Sequence, residues 1–191
     1  MADIALPRAT LIGGSNERAY DSYHQLCDWL AYRTTASVGR RMKLTTLATP
    51  GARVPDLNAQ FDDMLEPGSS RPSILIVGHT IAMLEVGADP IIALLEMLWS
   101  EISTIPHILP IRYPSASSYP SIPVAQRATV QTQINQYNAV LDEWSTRIPN
   151  VVAVSYNSYV TRTDGLHADD VSLNQLAIRI VEALRLRGAL K

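Results

Sequence analysis

Arg8-Ala9-Thr10-Leu11-Ile12-Gly13-Gly14-Ser15-Asn16-Glu17 is the stretch on which the fold turns. Its first half is a short, mostly apolar run of the kind that forms a parallel strand covered on both faces. Two glycines then let the backbone turn sharply and put Ser15 where a helix-side amide can approach a reacting atom. A hydroxyl is a poor nucleophile until a base takes its proton. On local sequence alone, Ser15 therefore reads first as a turn serine capping the next helix.

Working outward, the same alternation runs through the whole chain. Strands are predicted at Arg8–Gly13, Met42–Ala48, Ser73–Val77, His107–Ile111 and Val151–Ser155, each bounded by Gly, Pro or Ser. Between them lie helical patterns. Tyr23, Leu26, Cys27 and Leu30 share one face, and Val54, Leu57, Phe61 and Met64 share another. Asp89 and Pro90 make a cap and first turn for a helix over Ile91–Ile102. Pro123–Arg147 carries Ala128, Ile134, Tyr137, Leu141 and Trp144 at helical spacing, and Asp170–Arg187 carries Leu173, Leu176, Ala177, Ile180 and Leu184. The pattern predicts one α/β domain over residues 1–191, a three-layer α/β/α sandwich around a mainly parallel five-stranded sheet. In such sheets ligands bind beyond the carboxyl ends of the strands. The loops to inspect begin at Gly13, Thr49, Gly78, Arg112 and Tyr156. Arg112–Ile122 is the longest unpatterned stretch, and it reads either as a functional loop or as a plain surface connection.

Composition narrows the function classes. Of 191 residues, 47% are hydrophobic and 18% charged, which suits a packed core and not a disordered chain. A net charge of −2 without a Lys/Arg stripe gives no footprint for nucleic acid or an anionic membrane. The lone Cys27 cannot close an internal disulfide, and its spacing suits a buried helical face. Met1–Thr10 lacks the cationic start and apolar run of a signal peptide. Ile91–Trp99 is interrupted by Glu96 and too short to span a bilayer. The expectation is a protein without membrane insertion, cytoplasmic by default, although a phage-encoded or otherwise released protein would read the same way.

The last loop, Thr163-Asp164-Gly165-Leu166-His167-Ala168-Asp169-Asp170, precedes the final helix. Asp164 and His167, with a flexible glycine between them, can hydrogen-bond carboxylate to imidazole. Such a bond fixes the tautomer of the ring and stabilises the imidazolium formed when a serine is deprotonated. Taken alone, the loop also reads as a surface turn with Asp169 or Asp170 capping the helix. A metal site from Asp164, His167 and Asp169 or Asp170 lacks further ligands at suitable spacing. Ser15 and this loop follow the first and last strands, so both fall at the same edge of the sheet.

At these residues the chain resembles the SGNH hydrolases, the GDSL-type esterases, over nearly its whole length. Leu11-Ile12-Gly13-Gly14-Ser15 matches their first block, with Gly14 where the family usually has Asp. Ala48-Thr49-Pro50-Gly51-Ala52 matches the second, whose glycine is Gly51. Ile74-Leu75-Ile76-Val77-Gly78-His79-Thr80-Ile81 falls at the third, and Asp164-Gly165-Leu166-His167 is the fourth and most specific. The resemblance implies a flavodoxin-like SGNH fold and a triad of Ser15, Asp164 and His167. It also implies an oxyanion hole from the amides of Ser15 and Gly51 and the residue at position 80. No cofactor or metal is implied, and the substrate class is a small-molecule, glycan or lipid ester.

The third block departs from the family: Thr80 stands where an Asn amide would help hold the oxyanion. Losing one such donor costs about 10²–10³ in rate. His79 either replaces that donor or lines the pocket, with Gly14 and Tyr113 beside it. His24 and His107 lack an acidic residue at triad spacing and read as structural. The motif is not the Gly-x-Ser-x-Gly elbow, because Glu17 occupies its last position. Three readings follow: a serine hydrolase, an impaired family member that binds a carbohydrate or protein, and a nucleotide binder cradling phosphate on Gly13-Gly14-Ser15. The last lacks both Gly-x-Gly-x-x-Gly and a Walker lysine. The acyl group, the leaving group and the oligomeric state are not encoded in any of these motifs.

Overall fold

The computed structural model describes residues 7–14, 25–39, 41–66, 71–80 and 82–190. Ser15, Tyr23, His24 and Ile81 from the preceding paragraphs lie outside the described residues. Among the described residues, β1 (Arg8–Ile12), β2 (Lys43–Thr46), β3 (Ile74–Val77) and β4 (His107–Pro110) form one all-parallel sheet in the order β2-β1-β3-β4. The helices are α1 (Leu26–Val38), α2 (Val54–Leu65), α3 (Ala82–Glu85), α4 (Asp89–Met97), α5 (Trp99–Ile102), α6 (Val124–Arg147) and α7 (Asp170–Leu186).

Three layers follow from side-chain alternation along the strands. In β3 every residue is buried. Ile74 and Ile76 point into a core built with Leu26 and Leu30 of α1 and Leu173, Leu176 and Ile180 of α7. Leu75 and Val77 point the other way, into a core with Leu57 and Phe61 of α2, Leu94 and Leu95 of α4, and Ile134, Tyr137 and Leu141 of α6. A strand buried on both faces has no polar side to show, which is why ILIV reads as an unbroken apolar run. Cys27 is half-buried against the first of these cores, and its thiol donates to Gln25 Oε1 at 3.2 Å.

The sheet has four strands, not the five predicted. The segment 151–154 does run parallel to β4, but it pairs only through isolated bridges, Ile108 with Val151 and Ile111 with Val154. The cause is Pro110. Main-chain bonds run from Ile108 N–H to Asn150 O, Val152 N–H to Ile108 O, Val154 N–H to Pro110 O and Arg112 N–H to Val154 O. The bond that would complete the ladder needs an N–H at position 110, and proline has none.

Two further differences concern helices. The predicted Ile91–Ile102 helix is two helices, because ψ at Leu98 opens to −2°, away from the α value of about −42°. Beyond the break, Trp99 meets Trp144 with ring centroids 5.3 Å apart. Asp89 is the first residue of α4 rather than its cap; Ala88 holds that place and donates its N–H to Gln133 Oε1 at 2.9 Å. The Arg112–Ile122 stretch contains a short 3₁₀ turn at Ala116–Ser118, capped by Ser115.

Phe61 is fully buried in the α2–α4–α6 core. Phe61→Ala should destabilise the fold by about 3–5 kcal/mol through lost burial and a residual cavity. Urea unfolding followed by circular dichroism would read this as a lower midpoint with an unchanged slope.

Candidate active site

In the order β2-β1-β3-β4, connections leave β1 and β3 in opposite directions, and the crevice between their carboxyl ends is the usual ligand position. The main chain there is tightly tied. Ile12 C=O accepts from Gly78 N–H at 2.9 Å, and Gly13 C=O accepts from Thr49 N–H at 3.1 Å. Gly13 has φ of 140°, a conformation L side chains rarely adopt. At Gly14 the constraint is space: a Cβ would lie 2.9 Å from His79 O and 3.5 Å from Thr80 Cα. The strand exits thus pack backbone against backbone, which gives a physical reason for glycine where the resembling family carries Asp.

The predicted second-block glycine sits in a turn closed by Ala52 N–H to Thr49 O at 3.1 Å. Pro50 is second in that turn, and Gly51 is third with φ of 70°, the pattern of a type II turn. Gly51 is exposed.

At the third block both His79 and Thr80 are buried, at 5% and 6% exposure. His79 stacks on Tyr113, ring centroids 4.2 Å apart and 20° between planes. Its Nε2 lies 3.0 Å from Arg112 O, and since a carbonyl only accepts, Nε2 carries the proton. Burial, partly offset by that bond, lowers the His79 pKa to about 4, so the ring is neutral at ordinary pH. A neutral ring protonated at Nε2 has an acceptor at Nδ1 and no second donor.

The Tyr113 hydroxyl occupies both main-chain groups of Thr80. It accepts from Thr80 N–H at 2.7 Å and donates to Thr80 O at 3.0 Å, with Thr80 Oγ1 3.4 Å away. Tyr113 is held in turn by Asn138 of α6, which accepts from Tyr113 N–H at 3.0 Å and donates to Tyr113 O at 2.9 Å.

Asp164 and His167 meet as the sequence suggested. Asp164 Oδ2 lies 2.5 Å from His167 Nδ1, and Oδ1 accepts from the amides of Leu166 at 2.8 Å and His167 at 3.0 Å. Partial burial raises the Asp164 carboxyl, but the His167 hydrogen bond, the two amides and the His167 charge outweigh it. The net position is below the usual carboxylate value. The pair sits on a small hairpin with a Thr161–Ala168 bridge, closed by Arg162 N–H to His167 O and Asp169 N–H to Val160 O, both at 2.8 Å. Gly165 has φ of 68°, and a Cβ there would lie 2.9 Å from Ser121 N, so the hairpin tip rests on the Arg112–Ile122 loop. Asp169 caps α7, accepting from Ser172 N–H at 2.7 Å.

An aromatic relay joins the two halves of the site. Beyond Gly14 stands His79; the His79 ring is 5.6 Å from that of Tyr156, and Tyr156 meets Tyr159 edge-on at 4.9 Å. The Tyr159 hydroxyl then donates to Leu166 O at 2.8 Å, next to His167. Residues adjoining positions 15 and 167 are therefore linked through three side chains. Tyr156, Tyr159, Asn138 and Gln60 have no motif in the sequence to mark them. Among the described residues, no three His, Cys, Asp or Glu side chains are grouped to hold a metal ion, and no helix is long and apolar enough to cross a membrane.

Solved structures share this architecture. A lipase/acylhydrolase from Enterococcus faecalis superposes with a TM-score of 0.71 at 20% identity, over 97% of this chain and 98% of the other. A carbohydrate acetylesterase family member from Sinorhizobium meliloti gives 0.69 at 13% identity, over 97% and 100%. A lipolytic protein of the G-D-S-L family from Veillonella parvula DSM 2008 gives 0.68 at 12% identity, over 93% and 98%. The chain has the SGNH hydrolase fold. No protein-family model matches the sequence, and a search of curated proteins finds no match.

Two outcomes test the site's geometry. Tyr113→Phe strips the partner from the buried Thr80 N–H and C=O, and should cost about 1–3 kcal/mol in thermal or urea unfolding. The Asp164 carboxyl, followed by NMR, should titrate below the ordinary ~3.9 in the native protein and move upward in His167→Ala. Because its folded pKa is depressed, Asp164 stabilises the fold above about pH 4, and that contribution disappears as pH falls through the folded value.

Proposed function

We propose that this protein is a serine hydrolase that cleaves an ester or acyl group, with Ser15 as nucleophile, His167 as base and Asp164 as its orienting acid. The observation that carries the reading is the Asp164–His167 pair: a 2.5 Å carboxylate–imidazole contact, the carboxylate pinned by two amides, on a loop linked through Tyr159 and Tyr156 to His79 beyond β3. Two of the similar structures bear the names lipase/acylhydrolase and carbohydrate acetylesterase, which supports the same chemistry.

In this mechanism Asp164 fixes the proton on Nδ1, leaving Nε2 to take the Ser15 proton as Oγ attacks the carbonyl carbon. The tetrahedral oxyanion rests on the amides of Ser15 and Gly51, with Thr80 as third contributor. His167 then protonates the leaving group. Water, deprotonated by the same ring, attacks the acyl-serine and releases the acid. Small-molecule, glycan and lipid esters all fit this scheme.

A second reading, an impaired binding module, is favoured by one observation. Thr80 faces Tyr113, with its amide committed to the tyrosine hydroxyl and its own hydroxyl 3.4 Å from it. The third oxyanion donor is then weak, and turnover about 10²–10³ slower than with a full set is expected.

A fluorophosphonate probe should label Ser15 in the folded protein. Ser15→Ala should abolish both labelling and cleavage of a short p-nitrophenyl ester. A folded wild type that neither labels nor cleaves points to the binding module instead.

A further inference from the structure

Resting on the hydrolase reading, we propose that Gln60 of α2 is a positioning residue for the nucleophile turn. Its side chain is 4% exposed, buried beneath the end of β1. Gln60 Oε1 accepts from Gly13 N–H at 2.8 Å, and Gln60 Nε2 donates to Gly13 O at 3.1 Å. One carboxamide thus takes both main-chain groups of the residue two positions before Ser15.

The location explains the arrangement. Leu11 O and Gly13 O both accept from the β2 side, from Leu47 N–H and Thr49 N–H. The two chains diverge here, β1 into the Gly13-Gly14 turn and β2 into the Gly51 turn. Gln60 continues the ladder where the neighbouring strand has left it. The Gly13 carbonyl therefore holds two donors, one from each proposed oxyanion segment's support: Thr49, which opens the Gly51 turn, and Gln60. Gly13 is thus fixed by Gln60 and Gly14 is backed by His79 O, so both residues that precede position 15 are held in place. A buried carboxamide satisfied at both ends loses a full hydrogen bond whichever end is altered.

Gln60→Glu and Gln60→Leu test this against a purely structural role. Gln60→Glu keeps the shape and the acceptor for Gly13 N–H. When ionised, however, it turns a carboxylate oxygen toward the Gly13 carbonyl; when protonated, it can donate again. Burial raises the pKa of such a carboxyl. Relative to wild type, kcat and the fluorophosphonate labelling rate of Gln60→Glu should fall together as pH rises and recover as it is lowered, with KM little changed. Gln60→Leu should lower both by about 10–100-fold at every pH, the scale of a misplaced reacting group.

If Gln60→Leu does not fold, the pH profile of Gln60→Glu still decides. A wild type that labels, paired with a folded Gln60→Glu that labels at the wild-type rate throughout, overturns the positioning role alone. An unreactive wild type overturns the hydrolase reading and this role with it.

Discussion

The organising constraint of this molecule is the close approach of two main chains where β1 and β3 end. Gly14 lies so near the His79 carbonyl that a single added carbon would collide with it. This contact couples the ends of β1 and β3, and other features are arranged around it. Gln60 sets the residue before it, while Tyr113 and Asn138 set the peptide behind it. Polar groups in a buried crevice have to be paired to be tolerated, and here the pairing also fixes geometry.

The Asp164–His167 pair illustrates a different economy of design. Its hairpin is shaped by main-chain bonds, by Leu166 and Ala168 set against the two cores, and by what its tip leans on. Gly165 lies against Ser121, and Leu166 O is held by Tyr159. The carboxylate is shaped by its own loop, since two of its bonds come from amides two and three residues ahead. The orientation of the imidazole is thus mostly local, whereas the placement of the hairpin depends on residues from the β4 exit.

Much of this was legible in the sequence, and for identifiable reasons. Buried parallel strands announce themselves as apolar runs, so β1, β3 and β4 stood out. The long α6 and α7 stood out because their apolar residues keep a strict helical period. The Asp-Gly-Leu-His segment was legible because its spacing alone permits the bond that forms. Four things were hidden. The interruption at Pro110 depends on which way an absent N–H would have pointed, and that requires the pairing partner. The two-part Asp89–Ile102 region hinges on one ψ angle that no residue type dictates. Gln60 and Asn138 look like ordinary helix-surface residues until the strand ends they serve are in place, and the commitment of Thr80 to Tyr113 joins positions far apart in sequence.

Pro110 also divides the sheet into parts of unequal cohesion. The strands leading to the Gly13-Gly14 turn share continuous ladders, whereas the segment leading to His167 hangs beside β4 on an interrupted one. Local opening in proteins follows such seams. The Asp164–His167 hairpin therefore belongs to the margin that separates first and β1 to the interior that separates last, so gentle warming would loosen the carboxylate–imidazole pair while β1 stays in its ladders.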